Sequence, residues 1–150
     1  MHFIDQALAE KRLPRAKLKA LFGALAKRVE AGRYQQSCAV GTVGLDLDAG
    51  LEHLRAALAT AFSDWVALIA RHFDLGDARR TRSFAGLVLT NIEGAYVRCR
   101  VEHSSRPFAE AGAWLAELVD PGTAGTMLPP LTSGVQPAGK RGVPPPGRRR

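Results

Sequence analysis

Apolar residues recur along this chain at helical spacing up to about residue 119, and the period is lost beyond it. No segment sustains the alternation expected of a strand. A first short helix is predicted over about 2–12, with Phe3, Ile4, Ala7 and Leu8 on one side. A second runs from about Pro14 to Ala31, where Leu18, Leu21, Phe22, Leu25 and Val29 follow i, i+3, i+4, i+7 spacing and Gly32 stops it. Pro14 and Pro107 are the only prolines in residues 1–119, and both stand where a helix should begin.

The segment Ser37 to Leu47 (SCAVGTVGLDL) is shorter and apolar. Gly41 and Gly44 each weaken a helix by roughly 1 kcal/mol and its β-branched residues suit a strand, but helix is the preferred reading. A long helix is predicted from about Ala49 to Phe73, its stripe formed by Leu51, Leu54, Leu58, Ala61, Phe62, Trp65, Leu68 and Ile69. At 1.5 Å per residue it would span about 37 Å, the width of a domain. Leu75-Gly76 ends it, and Asp77 is a suitable N-cap for the next helix, about Asp77 to His103.

That helix is apolar on two faces. One stripe is Phe84, Leu87, Val88, Asn91, Ala95 and Cys99; the other is Leu89, Ile92 and Tyr96. The last helix, about Pro107 to Val119, is likewise two-faced, with Phe108, Ala111, Leu115 and Leu118 on one side and Trp114 on another. An apolar surface that one small bundle does not hide marks a contact. Two helices from each of two copies would form a four-helix contact across a two-fold axis, so a homodimer on residues 77–119 is expected. The alternative is that the monomer absorbs both faces in its own core. Expected interface residues are Leu89, Ile92, Gly94, Tyr96, Trp114 and Leu115.

From Pro121 onward, seven of 30 residues are Pro and six are Gly, with no helix or strand period. A disordered basic tail over 120–150 is expected, following a helical domain over 1–119. The tail also changes the meaning of the charge. Of the net +7, it carries +4; residues 1–119 hold 16 basic and 13 acidic residues, net +3. Overall basicity is therefore weak support for nucleic-acid binding. Lys11, Arg12, Arg15, Lys17, Lys19, Lys27, Arg28 and Arg33 cluster around the second helix, but no aromatic stacking residue accompanies them. They read as the solvated face of an amphipathic helix.

At 150 residues, 46% hydrophobic and 23% charged, the chain has the composition of one globular domain. No apolar run reaches the ~18 residues a membrane span needs, and the N-terminus lacks a signal-peptide core. Two cysteines are too few for a disulfide framework or a cysteine-based zinc site. A cytoplasmic location is expected. Catalytic chemistry is not legible: no phosphate-binding loop, nucleotide fingerprint, metalloprotease motif or nucleophile elbow occurs. His2, His53, His72 and His103 fall in no ligand pattern, so no metal, cofactor or enzymatic activity is expected.

Binding is what remains. Phe22, Cys38, Phe62, Trp65, Phe84, Val88 and Asn91 all fall on expected inner faces. An apolar cavity with few polar groups is the usual form of a small-molecule pocket. Asn91 stands out, because an amide in an apolar stripe must find a partner.

Three stretches carry a family resemblance. They are LKALFGALAKRVEAGRYQQSCAVGTVGLDL (18–47), LEHLRAALATAFSDWVALIARHF (51–73) and VLTNIEGAYVRCRVEHSSRPF (88–108), the last with Glu93, Gly94, Ala95 and Arg100 in register. The chain resembles the C-terminal ligand-binding and dimerisation domain of TetR-family transcriptional regulators, most closely the LmrA-like branch, over about residues 3–119. The resemblance implies an all-α antiparallel bundle, a small hydrophobic effector inside it, and dimerisation through the last two helices. It departs from the family at the start: residues 1–17 are similar to the connector after the DNA-binding headpiece, and no helix-turn-helix precedes it. The expectation is a truncated or headless regulatory domain that reaches DNA only through a headpiece or a full-length partner. A stand-alone helical module for small molecules or lipid, outside transcription, is the second reading.

Overall fold

The computed structural model describes residues 2–48 and 50–119; the tail expected over 120–150 lies outside the described residues. The described residues form six helices and no strand: α1 (His2–Ala9), α2 (Pro14–Ala31), α3 (Ala39–Leu45), α4 (Glu52–Ala70), α5 (Ala78–Glu102) and α6 (Arg106–Leu118). The all-α bundle expected from the periodicity is the fold observed.

The helix ends follow local chemistry. Pro14 opens α2 with its φ preset and no N–H to leave unpaired. Gly76 turns the chain at φ +81°, and the Asp77 carboxylate then accepts from the Arg80 N–H at 2.9 Å, capping α5. His103, at φ 47°, takes the left-handed conformation that ends α5 and lets α6 fold back beside it. Three boundaries differ from expectation, α4 beginning at Glu52 rather than near residue 49. α1 stops at Ala9 rather than near residue 12, ahead of the charged Glu10-Lys11-Arg12 run. α4 stops at Ala70, where His72 and Phe73 donate to Ile69 and Ala70 in tighter i+3 turns.

The core lies between α2, α5 and α6. All five stripe residues of α2 are buried: Leu18, Leu21, Phe22, Leu25 and Val29. α2 and α6 form the most extensive helix pair. They approach closely because Gly112 has no side chain: a Cβ there would lie 2.5 Å from Phe22 Cβ. Phe22 and Phe108 meet at 6.2 Å between ring centroids, and Arg15 pairs with Glu117 at the far end of the same contact. Each such buried aromatic or aliphatic side chain is worth about 1.5–3 kcal/mol relative to exposure.

α4 is less central than its long stripe suggested. It buries only Ile69 fully, while Phe62, Trp65, Val66 and Leu68 pack against the core half-buried. α3 buries no residue and rests mainly on α4. α1 buries Ala7 and Leu8 against the body and makes two further contacts: His72 Nε2 lies 2.8 Å from Asp5 Oδ1, and the Arg28 guanidinium sits 5.4 Å over the Phe3 ring.

The chain itself covers both apolar stripes of α5 except at Leu87, which the first stripe included and which is exposed. Leu89 and Ile92 are buried, as are Leu115 of α6 and the stripe of Phe84, Val88, Ala95 and Cys99. A third face of α5 remains open, with Leu87, Val97 and Val101 exposed, and Trp114 of α6 is 68% exposed.

Candidate functional site: a half-apolar cavity under helix α1

A cavity of about 230 Å³ lies where α1, α2, α4 and α5 meet the start of α3. Its α5 wall is Leu89, Ile92, Glu93 and Tyr96, at i, i+3, i+4, i+7, one face of one helix. α1 contributes Phe3 and Ile4, α2 contributes Leu25 and Arg28, and α4 contributes Trp65. Ser37, Cys38 and Ala39 close it from the turn into α3. The volume falls just under the roughly 300–1,000 Å³ of typical ligand pockets, so it suits a molecule of one or two rings.

Aromatic contacts fix two of these walls. Trp65 stands edge-on to Phe62 at 5.8 Å, and Tyr96 edge-on to Phe108 at 5.1 Å. Tyr96 thereby joins the cavity to the α2–α6 core.

The polar feature is Glu93. Its Oε1 is buried and has no hydrogen-bond partner among the described residues. Its other oxygen fills the space that a Cβ at Gly41 would occupy, so a glycine at 41 is what admits the carboxylate. Loss of water raises the Glu93 pKa above its usual range, and a hydrogen bond from the Cys38 thiol offsets part of that rise. The Cys38 thiol is in turn pushed up, first by its own burial, with the neighbouring carboxylate adding to it. Its sulfur accepts from the Gly41 N–H at 3.4 Å and so caps α3. Burial also raises the Tyr96 hydroxyl. Arg28, by contrast, is exposed at the rim. Among the described residues no group of three His, Cys, Asp or Glu side chains is placed to hold a metal ion, and no described helix is long and apolar enough to cross a membrane.

The family model for the C-terminal domain of LmrA/YxaF-like transcriptional regulators matches residues 14–113. The chain belongs to that family. No curated protein and no solved structure matches it at significant similarity. The matched span contains α2–α5, most of α6 and every cavity wall except that of α1. This is therefore a regulatory domain of TetR type, from a family of transcription regulators.

The regulatory domain gathers only part of the expected site. Cys38 and Trp65 line the cavity, and Phe62 supports Trp65 from behind. Phe22 instead packs against α6, because the α2 residues that turn to the cavity are Leu25 and Arg28. Phe84 packs edge-on to Phe73 at 5.5 Å, and Val88 is fully buried in the core. Asn91 finds its partner on its own helix: Nδ2 donates to Leu87 O at 2.9 Å, and the side chain does not enter the cavity.

The expected interface is redistributed in the same way. Leu89, Ile92 and Tyr96 line the cavity, and Leu115 is 2% exposed inside the core, so none of the four offers an outer surface. Gly94 and Trp114 do face outward. The residues that sequence reasoning missed altogether are Phe3, Ile4, Leu25, Arg28, Ser37, Ala39 and Glu93. Glu93 had a readable signal: a carboxylate set inside the Leu89–Ile92–Tyr96 stripe.

Proposed function

We propose that this regulatory domain binds a small, largely apolar effector in the cavity beneath α1 and works as a homodimer in the cytoplasm. The observation that carries the first part is the α5 wall: three apolar or aromatic side chains and one carboxylate turned into a space of about 230 Å³. Two walls are attached weakly enough to respond to a ligand. α3 has no buried residue, and α1 is an eight-residue helix that buries only Ala7 and Leu8 and is otherwise held through Asp5 and Phe3. An occupant would press on Phe3 and Ile4 and so move α1. DNA enters this scheme through a reading headpiece, joined to this domain or carried by a full-length partner.

The exposed row on α5 and α6 supports the second part. Leu87, Thr90, Gly94, Val97 and Val101 recur at i, i+3, i+7, i+10 and i+14, one continuous helix face. Arg98 Nη1 lies 3.7 Å from Glu110 Oε2 across the α5–α6 hairpin, and the same antiparallel register carried four residues along each helix would bring Trp114 level with Gly94. A ring beside a bare stretch of helix is a knob with room for a partner helix.

The test is calorimetric titration with a panel of one- and two-ring aromatic probes, neutral and charged. Saturable binding that Ala39→Phe abolishes, by filling the mouth beside Cys38, is expected. Absence of binding by every probe, or binding that Ala39→Phe leaves intact, would contradict the proposal.

A further inference from the structure

We infer that the cavity selects a hydrophobic amine, an aromatic or aliphatic body carrying one ammonium group, with Glu93 as the residue that receives its N–H. This rests on the effector-binding reading above and adds the chemistry of the effector.

Three observations lead to it. First, Glu93 lines the cavity and its Oε1 is buried in the wall with no described partner; a buried carboxylate oxygen calls for a donor, which an occupant beside that wall can supply. Second, the position is built rather than incidental. The absence of a side chain at Gly41 gives the other oxygen its seat, and the Cys38 thiol holds the carboxyl in place. Third, apart from Arg28 and from Ser37, whose hydroxyl accepts from Thr42, the remaining wall is aromatic and apolar. Phe3, Trp65 and Tyr96 offer ring faces and edges, Leu89 and Ile92 plain hydrocarbon. Rings attract a cation as well as an apolar body. Arg28 is the opposing charge, but it lies exposed at the rim with its guanidinium over Phe3, where solvent screens it. The charge inside the cavity is thus that of the ionised carboxylate. An anion would be repelled by Glu93; a neutral hydroxyl could donate to its oxygen but would leave the charge uncompensated.

A pH signature follows. The amine pairs with ionised Glu93, whose pKa in the empty domain is raised by burial. Affinity for the amine therefore climbs as pH rises through that value and falls below it. The other titratable groups facing Glu93 do not titrate on the acid side. Cys38, before α3, and Tyr96, on α5, are both shifted upward, and the charged group on α2 is Arg28 at the rim.

The experiment compares three probes of one shape, 2-phenylethylamine, 2-phenylethanol and phenylacetate, by calorimetry on the whole chain. A charge-assisted hydrogen bond predicts that the amine binds about ten-fold or more tighter than the alcohol, and the carboxylate weakest. Glu93→Gln keeps the shape and should bring amine and alcohol to equal affinity and flatten the pH profile, with thermal melting confirming that the variant folds. Alcohol or carboxylate binding as tightly as the amine would overturn the inference while leaving the cavity reading in place. So would an amine preference that survives Glu93→Gln. Failure of all three probes to bind would remove the cavity reading, and the inference with it.

Discussion

Trp114→Ala should dissociate the domain without unfolding it. The indole is 68% exposed in the monomer, on the helix that the Arg98–Glu110 pair ties to α5. An aromatic side chain presents roughly 150–250 Å², so about 140 Å² of Trp114 is free for a partner to cover. At ~25 cal/mol per Å² that is about 3.5 kcal/mol, or about 3 once the retained Cβ is subtracted. A two-fold interface loses the ring twice, giving a ceiling of about 6 kcal/mol. Side-chain ordering and imperfect fit on association take back around half. The expected loss is about 3 kcal/mol, on the order of 100-fold in the dimer dissociation constant. Folding of the monomer should change by under about 1 kcal/mol, since most of the ring never enters the core. Sedimentation velocity over a concentration series, with urea unfolding of the dissociated protein, reads both quantities. A wild-type chain that stays monomeric at high concentration would refute the reasoning. So would a Trp114→Ala protein whose association is unchanged, or one that loses several kcal/mol of monomer stability.

Further outcomes are expected elsewhere. Gly112→Ala places a methyl 2.5 Å from Phe22 Cβ and 3.0 Å from its Cγ, so α2 and α6 must part; a loss of about 1–3 kcal/mol in denaturant unfolding is expected. Asn91→Ala removes only a bond to its own helix, so probe affinity should stay unchanged and stability should move by no more than about 0.5 kcal/mol. The Asp5 pKa is lowered, chiefly by its hydrogen bond to His72. A lowered carboxylate contributes stability above its unfolded pKa and loses it as pH falls through the folded value. Melting temperature should therefore drop below about pH 4 less steeply in Asp5→Asn than in the wild type, and α1 should be the first segment to exchange amide hydrogens in acid.

Much of the fold was legible because its signals are local. Pro14, the Asp77 cap and the 3.6-residue period each act within one turn of chain, and the structure places α2 and the start of α5 accordingly. The site was harder to read because it depends on which neighbour each face meets. Phe22 and Leu25 share one stripe of α2, yet one packs on α6 and the other on the cavity. Leu89, Ile92 and Tyr96 looked like surplus apolar face because periodicity does not reveal that α1 and α4 cover them. Asn91 drew notice as a polar residue in an apolar stripe, but an amide can satisfy itself on the preceding turn. Glu93, two residues on, has no such partner for its buried Oε1, and its seat at Gly41 lies 52 positions away in the chain.

The chain has two tryptophans, Trp65 in the cavity wall and Trp114 on the outer face. In a Trp114→Phe protein the remaining fluorescence therefore reports the cavity alone. Titrating that protein with 2-phenylethylamine should give a saturable change in Trp65 emission, lost in the Trp114→Phe/Ala39→Phe double variant. An emission spectrum that stays constant up to millimolar 2-phenylethylamine, 2-phenylethanol and phenylacetate alike, or a change that the blocked mouth does not remove, would contradict a ligand-binding cavity under α1.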